Sequence, residues 1–184
     1  MMDRIMRVIK LDFSVFKEIE GDPNATSEAT IVVLVATLFS ALGSAVRTQH
    51  FFASFLSALV SGVIGWVVWS AVTYFVGKSM FSGKGSLEGM LRLIGYSQAP
   101  QILGILNVIP CVGWIGALAG GILSLIMGVM AVREGLDLET GQAIIVIIVG
   151  AIGWAIVSAI IALIFGIIFG TTLAIFGGIT QGLR

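Results

Sequence analysis

From Glu28 onward, apolar runs of about twenty residues alternate with short polar connections. Each run is long enough to cross a hydrocarbon core about 30 Å thick as a helix. Five spans are predicted, over about 28–46, 51–76, 87–109, 114–132 and 142–168. The connections are Arg47 to His50, the glycine-rich GKSMFSGKGS, a tight turn at Pro110, Cys111, Val112 and Gly113, and REGLDLETGQ. The last apolar stretch carries no charge from Thr140 to Leu183, more than one perpendicular crossing requires. One tilted span followed by an interfacial tail is preferred to two helices there.

Ahead of the first span the pattern changes. Met2, Ile5, Ile9, Phe13 and Phe16 recur at spacings of three and four, while Arg7, Lys10, Ser14 and Lys17 occupy another face. This predicts one amphipathic helix over 1–22, with Ile5, Ile9, Phe13 and Phe16 as its membrane-surface stripe. Docking against the chain's own bundle would bury the same stripe, so the pattern leaves both arrangements open. Gly21, Asp22 and Pro23 end the helix, and Asn24 or Ser27 can cap the next one. Asp3, Arg4, Arg7, Lys10 and Asp12 interrupt the apolar run that a signal peptide needs, so this segment is expected to stay in the mature protein. The chain thus divides into 1–22 and a five-span domain over 23–184.

Composition agrees with the pattern. With 58% hydrophobic residues, 11% charged residues and a mean hydropathy of +1.09, the 184 residues fit an all-α, polytopic transmembrane bundle and leave no room for a separate soluble domain. The formal net charge is zero, which gives no electrostatic footprint for nucleic acid. Charge placement is more informative. With the N-terminus inside, Arg4, Arg7, Lys10, Lys17, Lys78, Lys84, Arg92 and Arg133 fall on the inner side, and only Arg47 and Arg184 fall outside. The positive-inside bias therefore predicts a cytoplasmic N-terminus and an outside C-terminus.

Helices in lipid associate by close packing rather than by escaping water, so small residues mark contact surfaces. Gly116, Gly120, Ser124 and Gly128 recur every four residues in the fourth span; Ser158, Ala162, Gly166 and Gly170 do so in the fifth. Ser57, Ser61 and Gly65 add a shorter stripe in the second. Packing within the bundle is the ordinary reading, and a homo-oligomer face is the other.

Few catalytic constellations survive an inventory. His50 is the only histidine and Cys111 the only cysteine, which excludes HExxH sites, histidine clusters and C-x-x-C pairs. No G-x-S-x-G or phosphate-cradling motif occurs, and GKSMFSGKGS reads as a connector. No cofactor or metal is expected, and an enzyme is not.

The third segment differs from the other spans. Glu88 and Arg92 stand at i and i+4, and Pro100 removes the donor that would serve the Tyr96 carbonyl. Tyr96, Ser97, Gln98, Gln101 and Asn107 bring further polar groups to membrane depth, where such groups face the protein interior. Glu88, Arg92, Tyr96, Ser97, Gln98, Pro100, Gln101 and Asn107 are therefore the candidate intramembrane site. They serve either to repair the kink or to form a functional polar path.

GKSMF..GKGSLEGMLRLIGYSQAPQIL resembles the inner loop and third helix of the Yip1 family, whose helix bears G-Y-S-x-x-P. The entry VIKLDFSVFKEIEGDPNATSEATIVVLVA is similar to the lead-in of that family's shorter members. The resemblance implies a five-span bundle with a cytosolic N-terminus. In eukaryotic members it also implies Golgi and endoplasmic reticulum membranes, vesicle traffic and contacts with prenylated Rab-type GTPases. The long N-terminal cytosolic domain is not in this sequence, and the family's D-L-Y-G-P stretch has only EGDPN, Glu20 to Asn24, as its counterpart. A compact prokaryotic-type member of the cell membrane is expected, and Rab-type GTPase binding is not carried over.

Two functions follow as expectations. One is a non-enzymatic scaffold that organises membrane or recruits lipids, other membrane proteins or further copies of itself. The other is a small-solute or lipid transporter or channel with a polar path in the third span. Reporter fusions test the orientation: a C-terminal reporter should signal from outside, and a cytoplasmic signal would overturn the span count or the orientation.

Overall fold

The computed structural model describes residues 1–45, 51–109 and 113–182. Side-chain surroundings are described as far as 43, over 51–109 and 113–160, and at Leu163. The expected turns at 46–50 and 110–112 lie outside the described residues, as do the surroundings of Ala162, Gly166 and Gly170. The elements are α1 (Met2–Ile9), α2 (Val15–Gly21), α3 (Ala25–Ala45), α4 (Phe51–Phe81), α5 (Leu87–Ser97), a 3₁₀ helix (Ala99–Val108), α6 (Gly113–Leu136) and α7 (Thr140–Gly182). The chain forms two units, Met1–Gly150 and Ala151–Arg184, the second holding the later part of α7.

Among the described residues, four helical stretches are long and apolar enough to cross a membrane: Ala25–Gly43, Phe51–Phe81, Gly113–Leu136 and Thr140–Ile160. The segment expected as one span over 87–109 is instead divided at Ser97 and Ala99. Gln98 N–H donates to the Gly95 carbonyl at 3.2 Å, and Gln101 N–H donates to the Gln98 carbonyl at 2.9 Å. These i→i−3 bonds take over where Pro100 cannot donate. The Tyr96 carbonyl, expected to lose its partner, receives a backbone N–H from the cap of α5.

A ten-residue 3₁₀ helix exceeds the usual three or four residues, and packing explains its persistence. It lies chiefly between α3 and α6. On the α3 side, a Cβ on Gly43 would strike the Gly104 carbonyl, and Ser40 Oγ donates to the Gln101 carbonyl at 3.0 Å. On the α6 side, a Cβ on Gly116 would sit 2.7 Å from Leu106 Cδ1, and one on Gly120 would sit 2.8 Å from the Pro100 carbonyl oxygen. The stripe in α6 thus packs inside the bundle along Gly116 and Gly120. Among the described residues, the buried Ser124 hydroxyl has no hydrogen-bond partner, and nothing lies within 4 Å of a Cβ at Gly128.

α4 departs from the expected stripe. Ser57 and Ser61 are exposed, and a Cβ on Gly65 would meet nothing within 4 Å; the buried face is Trp66, Ser70, Thr73 and Gly77. Those residues follow the i, i+4, i+7, i+11 rule of a single helical face, one phase away from the serines. Trp66 Nε1 donates to the Leu91 carbonyl at 3.1 Å and so ties α4 to α5. The connector after α4 is docked: Lys84 N–H donates to the Leu136 carbonyl at 3.1 Å, and a Cβ on Gly85 would collide with the Gly135 carbonyl. In α7, Ala143, Val146 and Ile147 are buried, whereas Ser158 is half-buried.

The single N-terminal helix expected over 1–22 is two short helices. Leu11 adopts φ 61°, a left-handed conformation that reverses the helical path between α1 and α2. The reversal changes the phase of the apolar stripe. Phe16 is buried with Val8, Val15 and Ile19, Ile5 is packed against that core, and Ile9 and Phe13 are exposed.

The contacts of the α6 glycines generate a test. Gly120→Leu should destabilise the detergent-solubilised protein by about 1–3 kcal/mol, because the side chain meets backbone rather than a flexible neighbour. Gly128→Ala should be neutral or stabilising, since alanine is the better helix former and the space is open. Equal melting temperatures for the two variants would contradict this packing.

Candidate functional site

The short connection between α2 and α3 places the N-terminal pair of helices beside the start of α3. Asp22 Oδ1 accepts the Asn24 N–H at 2.9 Å, an Asx turn that leads directly into α3 at Ala25. α1, α2, α3 and α5 then converge on one polar network.

Its centre is the Glu28 carboxylate in the first turn of α3. Glu28 Oε2 accepts from Arg4 Nη1 at 3.1 Å and from the Tyr96 hydroxyl, and the Met1 amino group lies 3.4 Å from Oε1. Tyr96 is fully buried, so its hydroxyl needs a partner inside the protein, and Glu28 supplies it. Arg4 also reaches Glu18 Oε1 at 2.9 Å and Asp22 Oδ2 at 2.8 Å.

A second knot forms around Arg92, which is 8% exposed. Its Nε donates to Thr26 Oγ1 at 2.6 Å, its Nη1 to the Glu20 backbone carbonyl at 3.1 Å, and its Nη2 to Glu88 Oε1. Three elements are thereby joined by one guanidinium. A buried cation with this many acceptors is compensated, chiefly by Thr26 and the Glu20 carbonyl, because the Glu88 carboxylate is largely exposed and screened by solvent.

The eight residues proposed from sequence fall into separate places. Glu88, Arg92 and Tyr96, at i, i+4 and i+8 of one helix, enter the network. Ser97 Oγ instead donates to the Ile94 carbonyl of its own helix at 2.8 Å. Pro100 is buried against α6, while Gln98, Gln101 and Asn107 are half-buried at or beyond the break. Arg4, Asp22, Thr26 and Glu28 were not among the sequence candidates. The signal for Glu28 was present, since it is the one carboxylate within the first apolar run and a buried tyrosine requires an acceptor.

Outside the spans, the charges respond to their neighbours. Hydrogen bonds from Arg4 and then Arg7 hold Glu18 below the ordinary carboxylate value, and Arg4 does the same for Asp22. Asp12, which accepts from Ser14 and Arg7, is lowered to about 2. Glu20 is raised, first by burial and then by the charges of Glu134 and Asp137. Among the described residues, no three His, Cys, Asp or Glu side chains lie close enough together to hold a metal ion. The network's chemistry is that of a charge-compensated clamp, with each arginine bridging elements that are distant in sequence.

The Yip1 domain matches residues 8–160, which take in the whole of α2 to α6 and most of the clamp. The chain belongs to the Yip1 family. It is an integral, multi-pass membrane protein, in keeping with its four long apolar helices. No curated protein and no solved structure matches it. Within the Yip1 domain, Glu88, Arg92 and Tyr96 meet Thr26 and Glu28, whereas Arg4 reaches in from α1, ahead of the matched residues.

The ion pairs make the N-terminal helices acid-sensitive. Asp12, Glu18 and Asp22 have depressed folded-state values, so their stabilisation is present above the ordinary carboxylate range and is lost as pH falls below it, for Asp12 toward about 2. Glu20, held above its ordinary value, opposes that trend. Limited proteolysis at stepwise lower pH should release the 1–22 segment before the rest of the bundle is cut, and simultaneous cleavage would contradict the clamp.

Proposed function

We propose that this Yip1-family protein is a non-enzymatic membrane scaffold, in which a rigid helical platform presents surfaces to lipid or to other membrane proteins. One observation carries the reading: the polar groups of α5 are engaged by α2 and α3 rather than lining a continuous path. Arg92 and Tyr96, the strongest candidates for a transport route, hold helices together. Gln98 and Gln101 lie at or beyond the break, and no hydrogen bond joins their side chains to the clamp among the described residues.

The same reading includes five membrane crossings in a cell membrane of prokaryotic type, with the N-terminus cytoplasmic and the C-terminus outside. Support comes from burial: the apolar 3₁₀ helix lies between α3 and α6, where an irregular backbone at membrane depth finds its partners within protein. The inner-side excess of basic residues supports the orientation. Candidate partners are the bilayer, another copy of the chain and other membrane proteins; Rab-type GTPases and nucleic acid are not proposed.

Solute flux and lipid scrambling in proteoliposomes, run beside crosslinking in cells, separate scaffold from transporter. Gln98→Leu should leave crosslinked partners and basal permeability unchanged. Flux that depends on the protein and disappears in Gln98→Leu would overturn the scaffold reading.

A further inference from the structure

The apolar arc of α1 is wider than the part of it that the core buries. At about 100° per residue, Val8, Ile5, Ile9, Met2, Met6 and Lys10 follow one another around the helix. The arc begins in the core at Val8, which is fully buried, and passes through half-buried Ile5. It then emerges: Ile9 is 41% exposed, Met2 68% and Met6 45%, before the arc closes on exposed Lys10. The turn that follows adds Leu11 and Phe13, each 37% exposed.

Leu11 makes this face more than a leftover. Its φ of 61° lies in the region where glycine is cheapest and a bulky side chain costs roughly 1–2 kcal/mol. The turn it makes leaves the Leu11 side chain among the exposed apolar residues rather than in the core. The fold also fixes the level of the patch. Only Asp22, Pro23 and Asn24 separate α2 from the first membrane-spanning helix, and Arg4 clamps α1 to the start of that helix. The outward arc is therefore held beside the first turn of a membrane-spanning helix.

We propose that Met2, Met6, Ile9, Leu11 and Phe13 form a wedge that enters the headgroup–acyl boundary of the chain's own bilayer. Lipid is the occupant because the patch is apolar and is held at the first turn of a membrane-spanning helix. The wedge works by apolar burial rather than by attraction to anionic lipid. Residues 1–22 hold four basic and five acidic side chains, and the two arginines are already paired with Asp12, Glu18, Asp22 and Glu28. This deepens the scaffold reading by naming its lipid contact, yet the contact is measurable whether or not the protein recruits a partner or carries flux.

The test uses the full chain with Cys111→Ala and single cysteines at Met6, Phe13, Asp3 or Lys17, each carrying an environment-sensitive fluorophore in proteoliposomes. Labels at Met6 and Phe13 should shift to the blue and be quenched several-fold more by brominated lipid than by iodide, with the reverse at Asp3 and Lys17. The contrast should persist in purely zwitterionic vesicles and at high salt. Stronger iodide quenching at Met6 and Phe13, or their crosslinking to a second protein chain, would overturn the proposal. Quenching that vanishes without anionic lipid would overturn its apolar basis. Met6→Leu, which keeps the apolar surface, should leave the Phe13 signal unchanged in a folded protein, and Met6→Glu should move it toward water; equal signals in both would also overturn it.

Discussion

A backbone group without a hydrogen-bond partner is costly in hydrocarbon, and the Ala99–Val108 segment brings an irregular backbone to membrane depth. Such a segment persists only inside protein, which is where it lies. The glycines of α3 and α6 let neighbouring backbones approach within touching distance of it, and Ser40 reaches a carbonyl that water would serve elsewhere. Pro100 therefore decides more than a local bend. It moves α5 and its continuation to the centre and leaves α4 toward the periphery, braced by Trp66.

The central position of α5 brings Arg92 and Tyr96 into the interior, where each needs compensation. Thr26 and Glu28 of α3, the Glu20 carbonyl of α2 and Glu88 of α5 itself provide it, and α1 adds Arg4 as the counter-charge of Glu28. Three consequences share this cause: Glu28 stands at the head of a membrane span, Arg4 is saturated with carboxylates, and Tyr96 is fully buried. The arrangement favours rigidity over passage, which is the physical basis for reading the protein as a platform.

Much of the helical content was legible because apolar length and helical period are local properties. α3, α4 and α6 begin within three residues of the expected positions, while α4 and α6 run four or five residues further at their C-terminal ends. The helix at 1–22 was misread because periodicity does not reveal a left-handed residue such as Leu11. Glycine and serine spacing likewise identified Gly116 and Gly120 but promoted Ser57 and Ser61, since a small-residue stripe has no label for the side of the helix that meets protein. Of the candidate residues named from depth and spacing, Glu88, Arg92 and Tyr96 enter the polar network. Arg4 and Thr26 were not named, because their partners lie far away in sequence.

The sequence by itself determined an all-helical membrane protein, its family resemblance, the bias of basic charge and the presence of a break at Pro100. These depend on composition and on spacing within single elements. The tertiary structure decided which polar groups are spent on one another, which glycines face a backbone, and which half of the N-terminal amphipathic pattern turns inward. Those outcomes depend on the relative placement of elements, and in lipid that placement is set by complementary packing and hydrogen bonding that no single helix encodes.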